Sequence, residues 1–220
     1  MMQQYIEQFQ LHNVLPKELL QQLSIRPFSK GELILLQGEP PLNMYFLVEG
    51  HLKIFAESDD GKKLIIAFTQ PFSVLGDIEF VQRKPYLNTV EAITDGKLLA
   101  LPISIIHELG LQHTPFTAYL LEEITGKFYA NAYTSHFNLL HSVDVRFASY
   151  LLSITPDTNY VSIHHIRDVA DLIGTSYRHL NRIIAQLTAQ GVIERSQRTI
   201  RILNREQLLK LAKQNIYEER

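Results

Sequence analysis

The stretch IRDVADLIGTSYRHLNRIIAQLTAQGVIERSQRTIRIL, Ile166–Leu203, decides the reading of the C-terminal part of this chain. Its opening predicts a helix near Ile166–Ile173, with Ile166, Val169, Ala170 and Ile173 on one face. Gly174 ends it, where a left-handed turn suits a residue without Cβ. Ser176 then sits where an N-cap belongs, ahead of a second helix near Tyr177–Thr188. In that helix Leu180, Ile183, Ile184 and Leu187 fall at i, i+3, i+4 and i+7 and face a core, which leaves Tyr177, Arg178, Asn181 and Arg182 outside. Two short helices joined by a tight turn, the second exposing Arg and Asn at its start, fit a DNA major groove. Arginine can pair bidentately with guanine and asparagine with adenine, while Ser176 and Tyr177 hydroxyls reach phosphate oxygens. Beyond Gly191, Val192–Glu194 and Thr199–Leu203 alternate around Ser196-Gln197-Arg198, a hairpin wing whose tip Arg198 would touch the nucleic-acid backbone. The competing reading is a helical hairpin with an exposed polar face and no nucleic acid. The turn glycine, the Arg/Asn face and the basic wing together weigh against it.

Charge runs the same way. The chain has a net charge of −2, but residues 1–141 carry 10 Lys/Arg against 15 Asp/Glu, and residues 142–220 carry 11 against 8. Between Ile166 and Arg205 stand seven arginines and no lysine, opposed only by Asp168, Asp171 and Glu194. Such a local field attracts a polyanion, although a solvated basic face gives the same count.

Working toward the N-terminus, the texture changes twice. Helices are expected at Val145–Ile154 and from about Arg205, with a loop at Pro156-Asp157. Phe116, Leu120, Ile124 and Phe128 recur at four-residue steps, and Ala132, Tyr133, Phe137 and Leu140 continue the stripe, which predicts one long helix over Phe116–Leu140. Its length, with Gly126 inside it, suggests the seam of a homodimer rather than simple packing on a sheet. Before Pro102, strands are predicted at Glu32–Leu36, Met44–Val48, Leu52–Glu57, Lys63–Phe68, Thr89–Ile93 and Lys97–Leu101. Turn signals at Gly31, Gly38, Gly50, Asp60-Gly61, Gly76 and Asp95-Gly96 separate them, the pattern of antiparallel sheets closed on themselves. A short helix is expected at Pro16–Leu23.

Composition excludes several classes. Among 220 residues, 45% are hydrophobic and 20% charged, as in ordinary globular domains. There is no cysteine, so disulfides, Cys-based zinc sites, a thiol nucleophile and Cys-ligated iron–sulfur clusters are ruled out. No run approaches 18 apolar residues, and Met1–Gln8 lacks the layout of a signal peptide, so a cytoplasmic protein without a membrane partner is expected. A closed β-roll can also host a cupin metalloenzyme, but residues 24–101 hold one histidine, His51, too few for an imidazole cluster. His51 and His107 read as structural, and His164-His165 as capping or phosphate-contacting residues. No catalytic motif, metal site or cofactor is expected, and the chain does not read as an enzyme.

With the order now visible, the chain resembles the Crp/Fnr (cyclic-AMP receptor protein-like) transcription regulators. The resemblance rests on Gly31…Gly38…Tyr45…Gly50, on Gly76-Asp77-Ile78, and on Gly174-Thr175-Ser176…Leu180-Asn181-Arg182-Ile183-Ile184. It implies an α+β fold: an N-terminal antiparallel β-roll (cyclic-nucleotide-binding-like, a double-stranded β-helix) over residues 1–110, a long connecting and dimerisation helix over 111–141, and a C-terminal winged helix-turn-helix over 142–220. It also implies a homodimer on a two-fold symmetric double-stranded DNA site, in contact with RNA polymerase. Effector-pocket residues by this resemblance are Gly76, Asp77, Asn88 and Thr89. Nucleotide-responsive members have a Glu where this chain has Asp77, and an arginine where it has Tyr86, Leu87 and Asn88. A buried phosphate without a guanidinium is poorly solvated, so cyclic AMP is not the expected ligand, and whether another small-molecule effector binds the roll stays open. The alternative function is a sensor of the same fold that acts through protein contacts without DNA.

Overall fold

The computed structural model describes residues 2–59, 61, 63–155, 158–162 and 166–212. They divide into two compact units, Met1–Phe128 and Tyr129–Arg220. The first opens with helices α1 (Met2–Gln8) and α2 (Lys17–Leu20) and then runs through β1 (Ser24–Phe28), β2 (Leu33–Leu35), β3 (Asn43–Glu49), β4 (Leu52–Glu57), β5 (Lys63–Thr69) and β6 (Ser73–Leu75). Helix α3 (Asp77–Gln82) interrupts the strands before β7 (Thr89–Ala92) and β8 (Gly96–Pro102). The strands form two four-stranded antiparallel sheets, ordered β1-β8-β3-β6 and β2-β7-β4-β5.

The strand β3 shows why its sequence is a continuous apolar run. Met44, Phe46 and Val48 point into a core shared with α1 and α2, while Tyr45 and Leu47 point into the space between the sheets. β8 splits the same way, Leu99 and Leu101 to one core and Leu98 and Ala100 to the other. A strand covered on both faces needs no polar alternation. Where β8 enters, a Cβ on Gly96 would stand 2.1 Å from the Glu49 carbonyl oxygen and 2.4 Å from Phe28 Cζ. Gly96→Ala is therefore expected to destabilise the roll by about 1–3 kcal/mol, as overpacking does; an unchanged denaturant midpoint would contradict this.

Helix α4 (Ile103–Ile105) and a wider turn through Gly110 lead to α5 (Thr114–Leu140), a 27-residue helix that crosses from the first unit into the second. Pro115 stands in its first turn, where a missing N–H does no harm. The second unit continues with α6 (Val143–Ile154), β9 (Tyr160–Ser162), α7 (Ile166–Leu172), α8 (Tyr177–Ala189), β10 (Ile193–Arg195), β11 (Thr199–Ile202) and α9 (Arg205–Leu211). Its core joins Phe147 and Leu151 of α6 to Val169, Ala170, Leu180, Ile184 and Ile200.

Several expectations are corrected. The early helix is Lys17–Leu20 with Pro16 as its cap, and Leu23 leads into β1 instead. β1 escapes sequence reading because it contains Pro27, tolerated on a sheet edge. Strands β6 and β9 and helices α1 and α3 are likewise additional to the expected set. The apolar stripe of α5 is not one face: Phe116 and Leu120 are buried in the roll core, whereas Phe128 is 74% exposed. Asp60 and the expected loop at Pro156-Asp157 lie outside the described residues.

Burial raises the phenols of Tyr86 in the roll and Tyr150 in the second unit to about 12. An unfolded phenol ionises near about pH 10. The folded pKa is the higher one, so the stability these groups contribute is complete below pH ~10 and is lost as pH rises toward ~12. Denaturation midpoints that stay level from pH ~9 to ~11.5 would refute this.

Candidate nucleic-acid interface and effector cassette

Helix α7 ends in a paired turn: Thr175 N–H donates to Ala170 O (2.9 Å) and Gly174 N–H to Asp171 O (3.3 Å), with Gly174 at φ +64°. This satisfies carbonyls that a helix end leaves free. Arg146 of α6 completes the cap, Nη1 donating to Ile173 O at 2.5 Å and Gly174 O at 3.2 Å. Ser176 then accepts from His179 N–H at 3.2 Å, as an N-cap does. Thus the angle between α7 and α8 is fixed by backbone bonds and one buried guanidinium.

On α8, Leu180, Ile183, Ile184 and Leu187 are buried, and Ser176, Tyr177, Arg178 and Arg182 are exposed. Among the described residues, Arg178 and Arg182 have no hydrogen-bond or ion-pair partner. Asn181 differs. Its Nδ2 donates to Tyr177 O at 2.8 Å, and its Oδ1 accepts from Arg195 Nη1 of β10 at 2.5 Å. The residue expected to read adenine is engaged inside the protein, where it ties the helix to the wing. Arg195 was missed by sequence reasoning, as was Arg167, whose guanidinium lies 5.5 Å from the Tyr177 ring centre. Only side-chain placement reveals either.

The wing is a β10–β11 hairpin closed by Ser196 N–H to Thr199 O at 2.9 Å, with Arg198 exposed at its tip and without a partner among the described residues. Arg205 is structural, donating to the carbonyls of Thr155 (2.7 Å) and Thr158 (3.0 Å). Arg201 lies over Tyr160. Among the described residues of this segment, Arg178, Arg182 and Arg198 are the guanidinia without a protein partner. His164-His165 lie outside the described residues.

In the roll, Gly76 caps α3 and Asp77 is its first residue, its side chain 3% exposed. Both Asp77 oxygens accept from Lys127 Nζ of α5 at 2.7 Å. At the segment where the resemblance calls for an arginine, Tyr86 turns inward and its hydroxyl donates to Asn43 O at 3.3 Å. Thr89 Oγ1 accepts from Gln37 N–H at 3.2 Å, and Asn88 is half-buried. The nearest cations in the sequence, Arg83 and Lys84, are exposed. Arg26, a half-buried guanidinium of β1, is held by Glu32 (3.1 Å) and the Tyr45 hydroxyl (3.1 Å). A surface hollow of about 340 Å³ lies elsewhere, between Pro40, Pro41, Phe80, Arg83, Ile103 and His107. Among the described residues no group of three or more His, Asp or Glu could hold a metal ion, and no helix is long and apolar enough to cross a membrane.

Comparison with known proteins divides the chain in the same way. Residues 25–113 match the cyclic nucleotide-binding domain and residues 145–211 the Crp-like helix-turn-helix domain. The regulatory protein YeiL of Escherichia coli O157:H7 is 28% identical over 84% of this chain and 84% of its own length. A CRP-like cAMP-activated global transcriptional regulator of Mycobacterium tuberculosis is 20% identical over 89% of this chain and 91% of its own. A structure from Eubacterium rectale, assigned to the Crp/Fnr regulators, superposes with a TM-score of 0.81 at 21% identity, covering 93% of this chain and 98% of that one. The relatives matched along both units are regulators, not enzymes. With both domain models in this order, the chain belongs to the Crp/Fnr family of transcription regulators, built from a cyclic-nucleotide-binding roll and a helix-turn-helix DNA-binding domain.

Proposed function

We propose that this regulator binds double-stranded DNA directly as a cytoplasmic homodimer, on a pseudo-palindromic site, without cyclic AMP, and acts through RNA polymerase. The roll (1–110), the connecting helix (111–141) and the winged head (142–220) divide the labour. One observation carries this reading: the α8 face that cannot be interior presents two guanidinia, Arg178 and Arg182, one turn apart and exposed, without partners among the described residues. In a dimer two such faces would enter successive major grooves roughly 34–36 Å apart. Tyr177 and Ser176 stand beside them for phosphate contact, and Arg198 serves the flanking backbone.

The dimer is supported by a pattern on α5 that the sequence stripe overlooked. Leu121, Thr125, Phe128, Ala132, Ser135 and Leu139 recur at alternating four- and three-residue steps, the spacing of a coiled-coil seam. Leu121, Phe128 and Leu139 are 64%, 74% and 83% exposed in the single chain. Thr125 suits such a seam because its hydroxyl already donates to Leu121 O at 2.6 Å. Cyclic-AMP independence is supported by Asp77, whose oxygens are both occupied, and by the missing guanidinium near Asn88 and Thr89.

Selection of bound sites from random duplexes with purified, untreated protein tests the whole reading. Enrichment of an inverted repeat is expected, with affinity unchanged by added cyclic AMP. No enrichment would instead favour action through protein contacts alone. On the selected site, Arg198→Ala is expected to weaken all sequences alike and to flatten the plot of log affinity against log salt by about 2, roughly one phosphate per protomer.

A further inference from the structure

Helix α5 holds a single Lys or Arg, Lys127, within its 27 residues. Its ammonium donates to both oxygens of Asp77 at 2.7 Å and to Val74 O at 2.8 Å. An ammonium has three protons, and all three are placed. The carboxylate they meet is 3% exposed and begins α3, so an acid that solvent cannot reach is neutralised from another element. On the same side of α5, one and two turns earlier, stand Glu123 and Tyr119. Burial raises the Glu123 carboxyl above the usual range, and the Tyr119 hydroxyl is buried without a hydrogen-bond partner. Among the described residues neither bonds to the roll, and Lys127 is the polar tie between this stretch of helix and the start of α3.

The geometry points to Lys127 as a positioning residue: a counter-ion carried by the chain itself that saturates Asp77 and pins α5 to the roll. A hydroxyl-bearing effector would have to displace a bidentate ammonium to use Asp77. Helix α5 is continuous from Lys127 to Leu140, so a loosened hold at Lys127 is expected to show in DNA affinity. The inference rests on the DNA-binding reading, and its test separates the two.

Affinity for the selected duplex is measured for the full-length protein, Lys127→Met, Asp77→Asn/Lys127→Met, and Lys127→Ala with propylammonium or tetramethylammonium chloride at equal ionic strength. Lys127→Met strands a buried carboxylate, so both melting temperature and affinity should fall, affinity by about tenfold or more. The double variant removes that carboxylate and should recover the melting temperature while remaining about tenfold weak, because α5 is still unpinned. Propylammonium, which can donate to Asp77, should restore binding to Lys127→Ala, whereas tetramethylammonium, which has no proton to donate, should not. Affinity of Lys127→Met within about twofold of the parent, or recovery of both properties in the double variant, would overturn the proposal. If the parent selects no duplex, the DNA reading fails by itself. Amide exchange over Thr125–Tyr129 then decides: faster in Lys127→Met sustains the pin, and unchanged removes it.

Discussion

Arg178→Ala is expected to abolish discrimination at one base position in each half-site and to weaken the selected DNA by about 2–6 kcal/mol, since a bidentate base contact is worth roughly 1–3 kcal/mol and a dimer makes two. That corresponds to a loss of about 30-fold to about twenty-thousandfold. The residue is expendable for folding: it is exposed, and no protein group among the described residues depends on it. A melting curve should therefore be unchanged. Asn181→Ala supplies the contrast. Its carboxamide joins Tyr177 O to Arg195, so its removal frees the wing arginine and should lower affinity with the same base preferences retained. Competition assays on single-base variants of the selected site would read both outcomes. An Arg178→Ala protein with its base preferences intact would remove α8 from the groove.

The helix-turn-helix was legible in the sequence because its determinants are local. Gly174 takes the left-handed turn, Ser176 caps α8, and Leu180, Ile183, Ile184 and Leu187 are buried together, each dictated by neighbours within a few residues. Six of the eight strands of the roll were legible for the same reason, down to β4, whose bounds match. What escaped depends on partners distant in the chain. β1 is a strand because Pro27 falls in the edge strand of its sheet, which pairs with β8 alone. Lys127 meets Asp77 across 50 positions, and Arg195 meets Asn181 only once the wing has folded back. One signal for Lys127 was present: it is the only Lys or Arg between Lys97 and Arg146, and a solitary cation in a long helix invites the question of what it faces. The α5 stripe misled because Phe116 and Leu120 toward one end and Phe137 toward the other are buried while Phe128 between them is exposed, so the helix has no single apolar side. Four-residue steps through Phe116 and Leu120 follow the roll core, whereas the proposed seam follows alternating threes and fours.

That distinction can be put to a direct test with neighbouring leucines. Leu120→Asp puts a carboxylate into the roll core, where Leu120 packs with Phe46 and Phe116, and should unfold the first unit. Leu121→Asp, one residue on, changes an exposed side chain and should leave the monomer folded. Its effect should appear in assembly. In a two-fold seam each substitution counts twice, removing about 1.5–3 kcal/mol of apolar burial per side chain and bringing a carboxylate from each protomer against the seam. Together with Leu139→Asp, the loss should exceed about 5 kcal/mol, more than a thousandfold in dimer dissociation. Sedimentation at micromolar concentration should show a folded monomer, and affinity for the inverted repeat should fall toward that for one half-site. A Leu121→Asp/Leu139→Asp protein that sediments as the parent does, with the parent a dimer, would place the seam on another face. A monomeric parent would remove the homodimer altogether, and the two-fold site with it.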